Sequence, residues 1–337
     1  MANNAVTAKA RAVYGKMLTR DDYIVLMHKG TVPAAVGYLK SKPLYADVFA
    51  DTDEAGVHRE QAEALIEKNV FDNYLRVCRY ASGNKNGIMS FYIRRIECEQ
   101  LIKAVIAVTT GERDGFIASF PEYVAEKMTF DHMKLAACKD LKQASDAIKG
   151  TMYHRPLMPL MQAGEPDVNR ILTTINICYI KWAFEQINKS EKGKTKEQLK
   201  DFFLRKVDAD NLLMCLRMKA FGFESDRINE LLIPYHKRLR QCEIDEALKL
   251  PDSVQVLSEM FVGERLIKAD TSDIPEINVN RDDHRYFRHR LAVCTDETEA
   301  LYALTVLLTA ESTDLCRIIE GLRYGLAPEE IEKYLIV

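Results

Sequence analysis

The sequence has few residues that interrupt a helix. Glycine occurs 15 times and proline 10 times among 337 residues, and the clean alternation of apolar and polar residues that marks a strand is rare. Apolar residues recur instead at steps of three and four, so the sequence predicts an all-α protein. The predicted long helices cover residues 60–79, 88–108, 167–188, 196–220 and 297–322. The predicted loops cover residues 83–87, 189–196 and 269–283.

A large excess of charge of one sign is also missing. The 47 basic and 50 acidic residues leave a net charge of -3, without the basic excess that is typical of nucleic-acid-binding proteins. The longest run without a charged residue covers 300–310, far short of the roughly 20 apolar residues that span a bilayer. With 47% hydrophobic residues, the composition is that of a globular protein, and we expect its partners to be proteins.

Paired cysteines and a secretory signal are not evident either. The eight cysteines are scattered along the chain with no Cys-x-x-Cys pair, which is typical of free thiols in a reducing compartment. The opening residues, 1–6, are polar and lack the apolar segment of a signal peptide. The sequence therefore predicts a protein of the cytosol.

Motifs of common catalytic sites do not occur. There is no Gly-x-Ser-x-Gly elbow, zinc-binding His-Glu motif or glycine-rich dinucleotide fingerprint. Gly193-Lys194-Thr195 resembles the end of a phosphate-binding loop, but Asn188 stands where that loop requires its first glycine. The preceding segment also has the pattern of a helix and not of a strand. We therefore expect no catalytic, cofactor-binding or metal-binding residues, and no cofactor.

Two pairs of carboxylates invite a catalytic interpretation. Glu97 and Glu99 stand two residues apart, as do Asp208 and Asp210. Positions two apart on a helix differ by about 200° around its axis, so the paired groups point to opposite sides and do not share a proton or a metal. We expect one carboxylate of each pair to be solvated and the other to pair with a nearby arginine.

The densest polar cluster of the chain contains two histidines. His284 and His289 are accompanied by acidic residues at 282 and 283 and by arginines at 285, 288 and 290. Five-residue spacing places the histidines about 140° apart on a helix, a poor geometry for a shared metal. The cluster predicts a solvated or partner-facing helix, and the basic residues 236–240 predict a second helix face of this kind.

The most informative feature of the sequence is an internal repeat. Three short segments align, at residues 96–101 (IECEQL), 207–212 (VDADNL) and 310–315 (AESTDL). In each case a glycine follows ten residues after the final leucine, at Gly111, Gly222 and Gly325. Such a glycine predicts a helix end in the left-handed conformation.

The starts of the repeats match as well. Residues 17–23 parallel residues 127–133, and a weaker third start lies at 241–247. Tyr45 parallels Tyr153 at nearly the same offset. The sequence therefore predicts three related helical units, with boundaries at 1–126, 127–237 and 238–337.

Three longer segments resemble the family of C subunits of prokaryotic V/A-type ATP synthases, whose vacuolar counterparts are the d subunits of vacuolar ATPases. They are residues 8–23 (AKARAVYGKMLTRDDY), residues 203–222 around VDADNL, and residues 322–331 (LRYGLAPEEI). The resemblance covers essentially the whole chain in the same order. The third repeat departs most, since Leu308-Thr309 replaces the basic pairs Arg94-Arg95 and Arg205-Lys206.

The resemblance implies three similar helical domains arranged as a funnel about a pseudo-threefold axis. A member of this family lies on the cytoplasmic face of the membrane, seated on the rotor ring, and its cavity receives the central stalk, which consists of the D and F subunits. It transmits torque, binds no nucleotide or ion, and is present in one copy per complex.

Two other classes of function compete with this interpretation. A helical scaffold or adaptor of another cytosolic complex, built as a solenoid, would repeat every 30 to 50 residues or so, whereas the repeats of this chain begin 111 and 103 residues apart. A helical enzyme would need convergent titratable groups, which the repeats do not supply.

Overall fold

A computed structural model describes residues 5–53, 56–81, 86–262 and 275–337. Within these residues the chain forms helices, turns and irregular segments but no strand, so the predicted all-α class is confirmed. In chain order the α-helices are α1 (Ala5–Tyr14), α2 (Arg20–Met27), α3 (Val32–Lys40), α4 (Arg59–Cys78), α5 (Asn86–Met89), α6 (Phe91–Thr110), α7 (Arg113–Ala118), α8 (His132–Ala136), α9 (Leu141–Ala147), α10 (His154–Met161), α11 (Val168–Ser190), α12 (Gly193–Ala220), α13 (Ser225–Glu230), α14 (Gln241–Lys249), α15 (Ser253–Val262), α16 (Pro275–Val293), α17 (Glu297–Tyr324) and α18 (Pro328–Glu332). A 3-10 helix, Glu122–Lys127, precedes α8.

The five long helices predicted from the sequence correspond to α4, α6, α11, α12 and α17, with ends that differ by no more than three residues. All three predicted loops are partly wrong, and residues 86–87 of the first belong to α5. The loop at 189–196 shrinks to Glu191 and Lys192. Pro275 begins α16, because proline lacks only an N–H that the first helical turn does not need. Residues 83–85 and 269–274 of the predicted loops lie outside the described residues.

The three repeated glycines have the predicted left-handed conformation. Their φ angles are 82° at Gly111, 80° at Gly222 and 66° at Gly325. Gly111 and Gly325 are the C-caps of α6 and α17, and Gly222 follows the C-cap of α12. A side chain at such a φ would be strained, so glycine fixes where each long helix ends.

The chain divides into two compact units. The first contains Met1–Lys85 and Val262–Val337, and the second contains Asn86–Phe261. In the first compact unit, α17 packs against α1, α4 and α16, and 20 of its 28 residues are buried. A helix buried on nearly all sides is the centre of a core. The first compact unit is therefore organised around α17.

The second compact unit is organised around α6, α11 and α12. Helix α11 packs against α6, α10 and α12, and α12 packs against α13 and α14. Five of the eight cysteines are buried and all eight are free thiols. No helix in the described part of the chain combines the length and the apolarity needed to cross a membrane.

Candidate functional site

Three buried carboxylates occupy the same position in three long helices. Glu97 of α6, Asp208 of α12 and Glu311 of α17 are each no more than 1% exposed. Each stands fourteen residues before the left-handed glycine at the end of its helix. A buried carboxylate is unstable unless hydrogen-bond donors or a cation replace its lost hydration. The donors that each carboxylate binds therefore define its role.

Glu97 binds the chain just before helix α8. It pairs with Arg94, one turn earlier in α6, and accepts a 2.6 Å hydrogen bond from the backbone N–H of Thr129. The Arg94 guanidinium also donates to the carbonyl oxygen of Lys127 over 2.9 Å. Burial raises the pKa of Glu97, although Arg94 and the Thr129 N–H lower it. The pair therefore fixes residues 127–129 to α6.

Asp208 makes the same kind of contact with the chain just before helix α14. Its carboxylate accepts hydrogen bonds from the backbone N–H groups of Lys237 at 3.1 Å, Arg238 at 2.8 Å and Leu239 at 3.4 Å. The helix predicted at residues 236–240 is therefore wrong, because these N–H groups bind Asp208 instead of forming a helical ladder. Burial raises the pKa of Asp208, and the three N–H groups lower it.

Glu311 binds the chain just before helix α2. One carboxylate oxygen accepts a 2.7 Å hydrogen bond from the backbone N–H of Leu18. The other accepts a 2.7 Å hydrogen bond from the hydroxyl of Tyr45. Burial raises the pKa of Glu311 to about 7, although both hydrogen bonds lower it. Leu308 stands where the first repeat has Arg94, so no guanidinium from that position offsets the burial.

The predicted equivalence of Tyr45 and Tyr153 has a physical basis. Both side chains are fully buried, and each lies beside a buried carboxylate of a different predicted unit. Tyr45 donates to Glu311, while the Tyr153 phenol lies close enough to Glu97 to lower the pKa of that carboxyl. The two tyrosines therefore favour the ionised form of the two carboxylates.

A second polar residue follows each carboxylate by three positions, and sequence reasoning missed it. These residues are Gln100, Asn211 and Asp314, all buried. Asn211 accepts from the N–H of Ile233 and donates to its carbonyl oxygen, both at 2.9 Å. Asp314 accepts from the N–H of Ile336 at 2.8 Å, which stands at the same offset of 22 residues. A search for polar residues at a fixed distance from each repeated acid finds all three.

The other member of each carboxylate pair faces a different environment. Glu99 is partly exposed and accepts a 2.7 Å hydrogen bond from Arg95. Asp210 accepts a 2.7 Å hydrogen bond from Lys206. The predicted separation of the paired carboxylates is confirmed. In the first pair both carboxylates, and not only one, pair with an arginine. In the second pair Asp208 binds backbone N–H groups and Asp210 pairs with a lysine.

The predicted histidine cluster lies on helix α16. His284 is buried, and burial together with Arg288 and Arg285 lowers its pKa to about 4, so this side chain is neutral at physiological pH. His289 on the same helix is exposed. Within the described residues, no group of three or more histidine, cysteine or acidic side chains is arranged to hold a metal.

The segment that resembles a phosphate-binding loop lies between two helices. Asn188 belongs to α11, and Gly193 begins α12. A phosphate-binding loop follows a strand, so this segment has the wrong surroundings for one.

The three buried carboxylates bind backbone N–H groups, which do not exchange protons with a substrate. Each carboxylate therefore acts as a brace, a buried hydrogen-bonded contact that holds a long helix to a segment of chain distant in sequence.

Comparison with known proteins identifies a family that matches this chain. The family described as ATP synthase (C/AC39) subunit matches residues 6–334. The chain is 22% identical to the C subunit of the A-type ATP synthase of Archaeoglobus fulgidus, over 98% of this chain and 95% of that protein. It is 24% identical to the C subunit of the A-type ATP synthase of Methanococcoides burtonii, over 75% of this chain and 69% of that protein.

A further relative is the C subunit of the A-type ATP synthase of Thermococcus kodakarensis, 23% identical over 67% of this chain and 60% of that protein. The family match spans both compact units and includes all three buried carboxylates. With the family matched over nearly the whole chain, the protein belongs to the C/AC39 subunit family of ATP synthases.

Proposed function

We propose that this chain is the non-catalytic socket of the central stalk in a V/A-type rotary ATPase. It seats the stalk, made of the D and F subunits, on the membrane rotor ring, at the cytoplasmic face of the membrane and without a transmembrane span. In this role it couples ATP hydrolysis to ion transport, or ion flow to ATP synthesis. A rotor carries one stalk, so one copy of the chain is present in each complex.

The proposal includes three related helical domains, at 1–126, 127–237 and 238–337, arranged as a funnel about a pseudo-threefold axis. The observation that carries it is the recurrence of a buried, backbone-binding carboxylate at one position of three long helices, at Glu97, Asp208 and Glu311. A threefold repeat distributes similar contacts around a central shaft, which suits a socket.

Transmission of torque requires elements that deform little under load. Helices α12 and α17 each have 28 residues, which corresponds to about 42 Å at 1.5 Å per residue. The carboxylate of each helix binds a segment distant in sequence through buried hydrogen bonds, which are strong in a low-dielectric interior. These braces support the proposed role because they keep each long helix and its neighbouring segment in a fixed relation.

Capture from native membranes tests the proposal. A tagged copy of the chain, expressed in cells that contain the complex, is purified from membranes solubilised in mild detergent, and the captured proteins are identified and quantified. We expect the D and F subunits and the rotor ring in fixed proportion, with one tagged chain per stalk. Lys194→Ala, a change in the segment that only resembles a phosphate-binding loop, should capture the same set.

Recovery of a different cytosolic assembly, without the proteins of the stalk and ring, would replace the proposal by the scaffold alternative. Release of the chain from membranes by a change of ionic strength without detergent is expected, because polar contacts exposed to solvent are screened by salt.

A further inference from the structure

A groove with positively charged walls lies between helices α1 and α16 of the first compact unit. Its volume is about 650 Å³, within the range of about 300–1,000 Å³ typical of ligand sites. The residues that line it are Arg11, Tyr14, Arg285, Arg288, His289, Leu291 and Ala292. Four of these seven side chains carry a basic group and none is acidic. The lining of the groove is therefore basic, although the acidic and basic residues of the whole chain nearly balance.

The positive charge of Arg11 is held at the wall by neutral partners. Arg11 donates to three carbonyl oxygens at the end of α16, those of Leu291, Ala292 and Cys294, at 2.8–3.0 Å. These acceptors carry no net charge, so they orient the guanidinium without cancelling its charge. The contacts therefore fix one cation beside the basic face of α16.

Arg288 and His289 differ from the other basic residues of α16. Both are exposed, and neither forms a hydrogen bond or an ion pair with the part of the chain that the structure describes. Arg285 on the same helix lies 3.8 Å from the Asp282 carboxylate, Arg290 pairs with Glu299 at 2.6 Å, and Arg281 donates to the Leu335 carbonyl oxygen at 2.9 Å. The donors of Arg288 and His289 thus remain available to a partner at the groove.

The spacing of the basic residues is that of one helix face. Arg285, Arg288 and His289 stand at positions i, i+3 and i+4, which are neighbours on the helix surface and extend about 6 Å along the axis at 1.5 Å per residue. Beyond them the floor becomes apolar at Leu291 and Ala292. The groove therefore presents a row of basic side chains followed by an apolar step.

We propose that this groove binds an acidic helical segment of a partner protein. Carboxylates at i and i+4 of that segment would face Arg288 and His289, beside Arg285, and an apolar residue one turn further would contact the exposed Ala292. Planar guanidinium groups bind carboxylates through paired hydrogen bonds. A helical partner segment also presents side chains at i, i+3 and i+4 on one face, which is the spacing of the basic row on α16.

A single small anion fits these observations less well. Exposed ion pairs are individually weak, so an anion that met only one or two exposed basic groups would bind weakly. A segment with several carboxylates and an apolar contact adds such contributions together. The basic side chains also lie in a row along α16, whereas a phosphate site requires donors that converge on one point.

A peptide-binding measurement on the purified full chain tests the proposal. The probe is a fluorescent, end-capped helical peptide with glutamates at i, i+4 and i+7 on one face and a leucine one turn beyond. Its control has the same composition with the glutamates distributed around the helix. Fluorescence anisotropy measures the dissociation constant of each peptide. We expect the one-faced peptide to bind about tenfold more tightly than the control, and its binding to weaken with added salt.

Substitutions in the groove test whether the peptide binds there. Arg288→Glu should weaken binding of the one-faced peptide about tenfold or more, and Arg288→Gln should weaken it less, because it removes the cation without adding a repulsive charge. Arg155→Glu, at an exposed arginine of α10 far from the groove in sequence, changes the net charge equally and should have little effect. Circular dichroism of each variant checks that the fold is retained.

Three outcomes would overturn the proposal. They are no binding of the one-faced peptide at low salt, equal binding of both peptides, and equal loss for Arg288→Glu and Arg155→Glu. Inorganic phosphate and vesicles of anionic lipid are tested in parallel, and binding of either one that depends on Arg288 in place of the peptide would also overturn it. The inference does not rest on the proposed function, because the isolated chain is used and capture of the stalk can succeed or fail separately.

Discussion

The carboxylate of Glu311 accepts a 2.7 Å hydrogen bond from the backbone N–H of Leu18, 293 residues away along the sequence. Through this contact the helix of the third predicted repeat binds the start of the first. Glu97 and Asp208 instead bind later segments of the chain, at Thr129 before α8 and at 237–239 before α14. The first compact unit accordingly combines the beginning of the chain with residues from Val262 onward.

Removal of this carboxylate should destabilise the protein. In Glu311→Ala the Leu18 N–H and the Tyr45 hydroxyl remain buried without an acceptor, and each unsatisfied group costs about 1–3 kcal/mol. We expect the free energy of unfolding in urea, followed by circular dichroism, to fall by about 2–4 kcal/mol. Glu99→Ala removes a partly exposed carboxylate and should cost less than about 1 kcal/mol. Equal losses for the two variants would show that Glu311 is not a brace.

The stability of the protein should depend on pH through Glu311. Burial raises the pKa of this group to about 7 from its usual 4.5, so the folded protein binds a proton that the unfolded chain releases. The stabilising contribution is therefore fully present below about pH 4.5 and is lost as the pH rises through 7. Asp314, whose pKa burial raises to about 6, acts in the same direction.

Glu311→Gln isolates this effect because glutamine does not titrate. The free energy of unfolding of the wild type minus that of Glu311→Gln should decrease steadily between about pH 5 and pH 7.5. Urea titrations of both proteins at several pH values in this range measure the difference. A difference that stays constant, or that increases with pH, contradicts the assignment.

The close packing of α18 on α17 depends on a glycine. A Cβ atom at Gly321 would lie 2.6 Å from Cγ1 of Ile331, well inside contact distance, so Gly321→Ala should lower the free energy of unfolding by about 1–3 kcal/mol. Gly115 of α7 has no atom within 4 Å of such a Cβ, and Gly115→Ala should be neutral or slightly stabilising. The melting temperatures of both variants test this prediction. A Gly321→Ala protein with the melting temperature of the wild type would refute the packing argument.

The isolated chain should show no saturable affinity for ATP. Asn188 lies in helix α11 and Gly193 begins helix α12, so the segment lacks the strand and the glycine of a phosphate-binding loop. Isothermal titration with ATP and magnesium should give only the heat of dilution. Saturable binding that disappears in Lys194→Ala would contradict this prediction.

Much of the fold could be predicted because its signals are local. The long helices follow from apolar residues at steps of three and four, and their ends at Gly111, Gly222 and Gly325 follow from the tolerance of glycine for positive φ. The paired acids could also be assigned to opposite helix sides from the helical repeat alone. These features depend on residues within a few turns of one another.

The partners of the buried carboxylates could not be predicted in the same way. Nothing near Glu311 in the sequence indicates that Leu18 is its donor, because that contact is made only when the core forms. The sequence predicts an arginine for one carboxylate of each pair, yet the donors to Asp208 are backbone N–H groups of an irregular segment. Backbone groups leave no signal in the residue types. Gln100, Asn211 and Asp314 give a signal only when buried polar residues are sought at a fixed offset from each repeated acid.

Transport by membranes with and without this chain tests the proposed coupling most directly. Membrane vesicles from cells that lack the gene are supplied with the purified chain, and ATP-driven ion uptake is measured before and after the addition. We expect uptake to be absent without the chain and restored by the wild type, whereas a chain of unrelated sequence has no effect. Uptake that is already complete without the chain, or that the chain leaves unchanged, would contradict its role as the link between stalk and ring.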